Sequence, residues 1–397
     1  MTGGNSADVV IIGAGPAGLA AAFACQDLGL TPAVADTSMS ASAAASKGRS
    51  AALFNKTIAF LKTLGVWNAC APFAEPLKVL QFIDDTGRSL RAPDAAFHAS
   101  EIGEEAFGCN IANAQIVEVF KAEASKRRIG ILSPGRLTSL KAGTTDASVT
   151  FEDGTTLSAP LIVAADGRGS AAREAAGIRS LTWSYDQIAM AASFGHERPH
   201  NDICIEFHRH AGPLTLIPLP GNRSSLVWSE RTSEARRILA LDDPAFCTGL
   251  EKVSRLALGR ISDPSERAGF PLAFLLVREY GRSRVALAGE AAHAAPPIGA
   301  QGLNLGFRDV EALMRLVGDA RAAGEDHGGD KLLRAYSVAR RGDIMSRTLG
   351  LDLLNRSLLS GFLPFQAARG FGLFALSTVG PLRRAFMRRG IAPANSV

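Results

Sequence analysis

Four apolar residues, Val9 to Ile12, run without a polar interruption into Gly13, and the stretch GPAGLAAAFACQDLG that follows is Ala-rich and apolar as far as Gly29. The first run reads as a strand buried on both faces, and the second as a helix that Gly29 closes. A further strand, TPAVAD, ends on Asp36. Strand, helix and strand make a βαβ unit, which specifies a right-handed crossover in a parallel sheet. Residues 37 to 47 are a low-complexity Ser/Ala loop, and RSAALFNKTIAFLKTLGVW after it reads as one helix ending in Leu-Gly-Val-Trp.

Alternating patterns then take over. Residues 77 to 92, around LKVLQFIDDTGRSL, read as a hairpin turning at Asp-Asp-Thr-Gly. Similar β patterns return between 185 and 230, in QIAMAASF, ICIEFHR, PLTLIPLP and SSLVWSE. Between them lie a helix from Gln115 to Arg128, a hairpin around FEDGTTL, and a buried strand LIVAAD at 161 to 166. The chain thus leaves a glycine-rich α/β core, builds part of a second sheet, returns, and does so again. The expected fold class is α/β: a Rossmann-like domain with a parallel sheet, an interleaved β-rich substrate domain, and a helical C-terminus. The expected boundaries are 1–75, 105–180 and 268–330 for the first domain, 76–104 and 181–267 for the second, and 331–397 for a basic helical region.

Composition narrows the class without fixing the chemistry. Of 397 residues, 47% are hydrophobic and 20% charged, which is ordinary for a globular chain of two to three domains. The five cysteines (Cys25, Cys70, Cys109, Cys204, Cys247) are odd in number, scattered and without a CxxC pair, so they point to neither a disulfide framework nor a thiolate metal site. MTGGNSAD has neither a secretory nor a transit character, and the expected location is a reducing cytoplasm. The most apolar window, Leu358 to Gly380, is interrupted by Gln366 and Arg369, so no membrane span is expected. The net charge of +5 is uneven: residues 331 to 397 carry eleven Lys or Arg against two Asp.

The candidate chemistry begins at Gly13-Ala-Gly15-Pro-Ala-Gly18, a GxGxxG turn between strand and helix. Gly13 permits the tight turn, Gly15 lets a pyrophosphate approach the backbone, and Gly18 lets the helix lie close to the strand. Asp36, eighteen residues after Gly18, stands where a carboxylate takes the ribose hydroxyls of an adenosine. An acidic residue there favours FAD or NAD over a 2′-phosphorylated nucleotide. In LIVAADGRGSAAREAAGI a strand delivers Asp166 to a turn, and Ser170 caps a short helix bearing Arg173. A third strand, Val285 to Ala288, presents Gly289-Glu290, where a carboxylate can accept from a sugar-like hydroxyl chain. The turn after it leads into the helix LNLGFRDVEALMRLV, whose N-terminus would stabilise negative charge on a reduced flavin ring.

GAGPAG, the ADGRGS turn and GEAAHAAPPIGAQGLNLG, in this order and spacing, resemble the single-component FAD-dependent aromatic hydroxylases. The resemblance is strongest to the ubiquinone-biosynthesis hydroxylase branch, in which QGLNLG followed by an Arg-Asp pair is distinctive. It covers nearly the whole chain, including YDQIA, LIPLP, LVW and the final RRGIAP. The resemblance implies Asp166 near the FAD pyrophosphate, Glu290 on the ribityl chain, Arg49 and Asn113 lining the cofactor, and Gly302, Leu303 and Asn304 under the flavin edge. Asp186, Gln187 and Pro297 would border the substrate. It also implies that NAD(P)H reduces the FAD, that O₂ adds to give a flavin hydroperoxide, and that its distal oxygen attacks an electron-rich ring kept from water. One position departs from the family's pattern: Gly289-Glu290 replaces the usual Gly-Asp, which sets the carboxylate one methylene farther from the backbone.

The implied substrate is a prenylated phenol or quinol precursor of ubiquinone. The alternatives are a soluble aromatic, a flavin-dependent reduction of prenyl double bonds, or a non-catalytic flavin-binding role in a biosynthetic complex. His293, inside the flavin-facing turn, is an acid-base candidate by position; the plainer reading is that it fixes a tight turn. His196, His200, His208 and His210 read as solvent-facing strand residues, not as a metal site. In the tail, Phe362, Phe365, Phe371, Phe374 and Phe386 interleave with arginines, which reads either as a helix on the protein's own surface or as peripheral contact with the inner face of a membrane. No nucleic-acid-binding pattern accompanies the basic residues.

Overall fold

A computed structural model describes residues 7–37, 48–87, 93–296, 301–359 and 378–388. Strand β1 (Val9–Ile12) is wholly buried and pairs in parallel with β2 (Pro32–Ala35) on one side and β12 (Leu161–Ala164) on the other. All-apolar strands of this kind need cover on both faces. Helix α1 (Pro16–Asp27) supplies one cover, lying against β1 through small residues from Gly18 to Cys25. The sheet runs β19-β20-β12-β1-β2-β8, with β8 at Ile131–Leu132, β19 at Gly281–Arg282 and β20 at Val285–Leu287. The chain moves from β1 to β2 in one direction and later resumes at β12 on the opposite side, so a topological switch lies beside β1.

A second, largely antiparallel sheet has the order β21-β18-β13-β16-β15-β14-β5-β6. Its long members are β13 (Ser180–His196), β14 (Ile203–Arg209), β15 (Gly212–Leu219), β16 (Arg223–Arg231) and β18 (Ala268–Val277). Strand β5 (Val79–Asp84) joins β14 in parallel and β6 (Ala95–His98) antiparallel, while β21 (His293–Ala294) closes the other edge on Leu275 and Leu276. Sheet strands thus alternate along the chain with the α/β core, as an α/β fold with an interleaved β-rich part and a helical C-terminus requires.

Three local expectations change. RSAALF is not helical: Ser50–Phe54 forms β3, antiparallel to β7 (Gly108–Ala112), and only then does α2 (Asn55–Thr63) begin. Pairing with a strand more than fifty residues away overrides a pattern that fits a helix locally. The partner of β5 starts only at Ala95, later than a tight turn at Asp-Asp-Thr-Gly would place it. The helix expected from Gln115 starts earlier, as α3 (Asn113–Lys126).

Helix α4 (Ala171–Ala175) follows β12, α7 (Gln301–Ala322) follows β21, and α8 (Asp330–Leu359) leads into the C-terminal region. Among the described residues, no helix is long and apolar enough to cross a membrane. Phe362, Phe365, Phe371 and Phe374 lie outside the described residues, as does the side chain of Phe386.

Candidate active site

The turns after β1, β12 and β20 meet at the carboxyl ends of adjacent strands, where open α/β sheets bind ligands. The first turn is made by glycine sterics. Gly13 has φ +103°, and a Cβ there would stand 2.4 Å from the Ala165 carbonyl oxygen. A Cβ on Gly18 would stand 1.9 Å from the Gly13 carbonyl oxygen, so α1 seats on β1 only with glycine there. Gly15 is different: nothing lies within 4 Å of the Cβ position, which leaves open space above the first turn of α1. Gly15 therefore answers not to a neighbour in the protein but to what occupies that space. Asp36 follows the last residue of β2, and its N–H donates to the Leu132 carbonyl at 2.8 Å.

Asp166 begins the second turn. It accepts hydrogen bonds from Ser170 Oγ at 2.5 Å and from the Ala172 N–H at 3.2 Å, while Ser170 Oγ caps α4 by accepting from the Arg173 N–H. Burial pushes the Asp166 carboxyl up, against these hydrogen bonds and the Arg173 charge. Arg173 itself is buried and donates to the carbonyls of Arg168 and Ala291, both at 3.0 Å, which ties the second turn to the third.

The third turn is held from outside. Gly289 has φ +63°, and its N–H donates to Asp309 Oδ2 at 2.9 Å. The same oxygen lies 2.6 Å from His293 Nε2, and the other, Oδ1, accepts from Arg340 Nε of α8 at 2.7 Å. Asp309 is fully buried on α7. Burial alone would raise its carboxyl, but His293 and Arg340 outweigh this and hold it below the ordinary range. Arg340 also reaches Asp343, which burial again works against and which Arg347, Arg308 and Arg340 together hold far below that range. Sequence reading singled out the Arg308-Asp309 pair as a distinctive pattern but gave neither residue a role, and it missed Arg340, because their partners are remote in the chain.

Other candidates fall in mixed places. Glu290 is exposed in a short turn. Arg49 lies over the Phe270 ring, 4.8 Å from its centroid. Asn113 heads α3 with its Oδ1 buried and without a hydrogen-bond partner. Gly302 opens onto empty space and Leu303 is half-buried, both in the first turn of α7. Asn304 spends its amide inside the protein: Oδ1 accepts from the Phe54 N–H and Thr57 Oγ1, and Nδ2 donates to the Ala52 carbonyl. Gln187 is buried between the Ala211 carbonyl and Asn355 of α8, Asp186 is exposed at the irregularity where β13 pairs with β18, and Pro297 lies outside the described residues.

The histidines correct an expectation. His196, His200 and His208 are buried and only His210 is exposed. His196 bonds the Arg198 carbonyl and Ser224, His208 bonds Glu206, and His200 bonds two carbonyls through Nε2 and accepts the Asp202 N–H at Nδ1. Satisfied ring nitrogens make burial affordable in a strand. Glu75, His200 and Asp202 stand close together, but both nitrogens of His200 are already engaged.

A glycine turn open above Gly15, a carboxylate at the next strand end and an unpartnered Asn113 oxygen fit a dinucleotide with polar groups to satisfy. The profile of the FAD-binding-domain family matches residues 6–347, and the chain belongs to that family. It is an FAD-dependent monooxygenase, an oxidoreductase of the class that draws on NAD(P)H and O₂. The ubiquinone hydroxylase UbiL of Rhodospirillum rubrum is 32% identical, covering 97% of this chain and 89% of that protein. The 3-demethoxyubiquinol 3-hydroxylase of Escherichia coli is 28% identical over 86% of each. In fold, the chain is similar to p-nitrophenol 4-monooxygenase PnpA from Pseudomonas putida, with a TM-score of 0.78, 18% identity, and coverage of 98% and 99%.

Proposed function

We propose that this protein hydroxylates the aromatic ring of a prenylated phenol or quinol intermediate of ubiquinone biosynthesis. The observation that carries the reading is the convergence of three turns at the carboxyl ends of adjacent strands. The substrate class is supported by relatives named for ubiquinone and 3-demethoxyubiquinol hydroxylation. In this reading 1–75, 105–180 and 268–330 make up the FAD-binding domain, and 76–104 and 181–267 the substrate domain.

Bound FAD supplies electron transfer from NAD(P)H and activation of O₂. This chain's own residues do the holding. The N–H groups at the start of α1 would hold the pyrophosphate across Gly15 and Asp36 would take the adenosine ribose, while Gly13 and Gly18 keep the turn closed. Asn113, Arg49 and Glu290 would hold the remaining polar groups of the cofactor, and the backbone at Gly302 and Leu303 would support its ring. Asp166 acts through Ser170 and α4, and Asn304 acts by pinning α7 to β3. His293 is a positioning residue, since its Nε2 is committed to Asp309. Gln187 fixes the wall of the substrate space, and Asp186 borders it. The ring must be held out of water so that reduction leads to oxygen insertion.

The test is product mass after turnover of FAD-loaded protein with NAD(P)H and a short-chain prenylphenol, in air and without oxygen. A product one oxygen atom heavier, formed only in air, is expected. A product two hydrogens heavier without oxygen would make the protein a prenyl reductase. Insertion into only unprenylated phenols would make it a hydroxylase of soluble aromatics, and no flavin reduction with any phenol would leave a non-catalytic flavin-binding role.

A further inference from the structure

The two faces of the antiparallel sheet are told apart by what covers them. Met190, Phe194, Leu216 and Trp228 point into an apolar core closed by Ile238 and Phe246 of two helices behind the sheet. Residues one step out of phase point the other way, toward β3 and β7. There Ile217 and Val227 pack with Ala52 of β3, and Ser225 Oγ lies 2.6 Å from Ser50 Oγ. Strand β3 is the one that Asn304 ties to the first turn of α7, so this second face looks toward the candidate active site. Cross-strand pairing sets Glu206, Thr215, Val227 and Ala191 in one row on it. At its Ala191 end the row meets Gly48, beside Arg49, where a Cβ would stand 3.2 Å from the Ala191 carbonyl oxygen.

Glu206 is the ionisable member of that row, and it is buried, as is His208 two residues along β14. His208 Nε2 lies 2.8 Å from Glu206 Oε1, and since a carboxylate only accepts, the imidazole donates there. The other oxygen, Oε2, is held only by the Thr215 hydroxyl at a long 3.4 Å. Among the described residues, no lysine or arginine pairs with Glu206. Ser229, two residues along β16 from Val227, lies on the same face, and its wholly buried Oγ has no hydrogen-bond partner among the described residues. A carboxylate buried only for packing should have both oxygens well bonded. A loosely held oxygen and an orphan hydroxyl on one buried face instead fit a ligand that brings a hydroxyl group of its own.

We propose that Glu206, held by His208, is the general base that takes the proton of the substrate's ring hydroxyl, an inference that rests on the hydroxylase reading. A ring carbon's electron pair takes up the hydroxyl derived from O₂, and the pair of the O–O bond that breaks stays with the donor. The ring hydroxyl becomes acidic as this happens: its O–H bond breaks, that electron pair closes a carbonyl on the ring, and the proton passes to Glu206 Oε2. The hydrogen on the attacked carbon then leaves as a proton to the oxygen left on the donor, its electron pair restores the aromatic ring, and Oε2 returns its proton to the ring oxygen. The negative charge of the carboxylate moves to the ring during the step, so no further charge is buried. His208 is a positioning residue, since its Nε2–H fixes Oε1 and leaves Oε2 to the ligand.

Two phenols separate a base from a wall residue: a short-chain prenylphenol and its difluorinated form, whose hydroxyl ionises in mildly alkaline water and needs no base. The full-length, FAD-loaded protein is assayed in air with NAD(P)H for hydroxylated product. With the plain phenol, Glu206→Gln should slow hydroxylation about a hundredfold at unchanged melting temperature and FAD content. The NAD(P)H it consumes should end as H₂O₂. With the fluorinated phenol the gap to wild type should shrink to about threefold or less. Glu206→Asp, which keeps a carboxylate, should recover part of the rate. His208→Gln should show a gap of about tenfold that narrows in the same way, and it carries the comparison if Glu206→Gln does not fold. Without turnover, binding of the fluorinated phenolate should take up about one proton from the buffer in wild type and none in Glu206→Gln, read with a pH indicator. An equal gap with both phenols, or equal proton uptake, overturns the proposal and leaves the hydroxylase reading standing. Wild-type protein that hydroxylates neither phenol overturns both.

Discussion

The turns at Gly13 and Gly289 flank the turn after β12 and both use left-handed glycines, yet they are held in opposite ways. The Gly13 turn is closed by its own backbone and by the fit of α1 on β1 within a few residues. The Gly289 turn is closed by Asp309 from α7, itself gripped by Arg340 from α8, and by Arg173 from α4. One turn is a local steric solution, and the other is a remote electrostatic one. The first should therefore fail abruptly on adding a side chain at Gly13 or Gly18, and the second gradually with charge and pH.

The largest effect is expected at Gly18. Gly18→Val forces a Cβ into the Gly13 carbonyl, and α1 must leave β1. A loss of about 4 kcal/mol or more is expected, seen as little soluble protein or a collapsed melting temperature. If Gly18→Val melts like wild type, the steric account of this turn is wrong.

Next comes the buried pair. Asp309→Ala takes from Arg340 its fully buried carboxylate and leaves it Asp343, and Arg340→Leu leaves Asp309 buried with His293 as its remaining partner; each should cost about 3 to 5 kcal/mol in denaturant unfolding. The double variant should cost much less than the sum, since each change removes the reason for the other's penalty. Additive losses would show that the two residues do not act as a pair.

Acid provides a smaller and graded test. Asp309 and Asp343 have carboxyls depressed in the folded protein. Their contribution is complete above the unfolded carboxylate range near about pH 4 and is lost as pH falls toward the folded values. In Arg340→Leu, His293 alone is left to oppose burial at Asp309, so the depression shrinks and the decline of melting temperature between neutral and acidic pH should flatten. An unchanged slope would remove Arg340 from the linkage.

The same contrast explains what could be read from sequence. Val9 to Gly18 announces itself because every cause is local: strand, turn and helix are adjacent, and each glycine answers a neighbour or the ligand space. Strand β3 does not, because what makes Ser50–Phe54 extended is β7, far along the chain. The Arg308-Asp309 pair stands out as a pattern, but nothing local gives Asp309 its role, since a carboxylate and an arginine thirty-one residues apart on two helices look like surface charges until the helices meet. His196 and His200 are hidden for the same reason, since Ser224 and the Leu219 and Gly221 carbonyls come from a neighbouring strand and turn, whereas His208 bonds Glu206 on its own strand.

Gly15 gives the smallest expected effect on stability and the most direct test of the cleft. Nothing in the protein meets a Cβ there, so Gly15→Ala should leave the unfolding free energy of the FAD-free protein within about 1 kcal/mol of wild type. The methyl would then stand where the pyrophosphate approaches the backbone. Titration of FAD into FAD-free wild-type and Gly15→Ala protein, followed by flavin fluorescence, should show affinity falling about tenfold or more. Equal affinities at equal stability would contradict the placement of the cofactor over this turn.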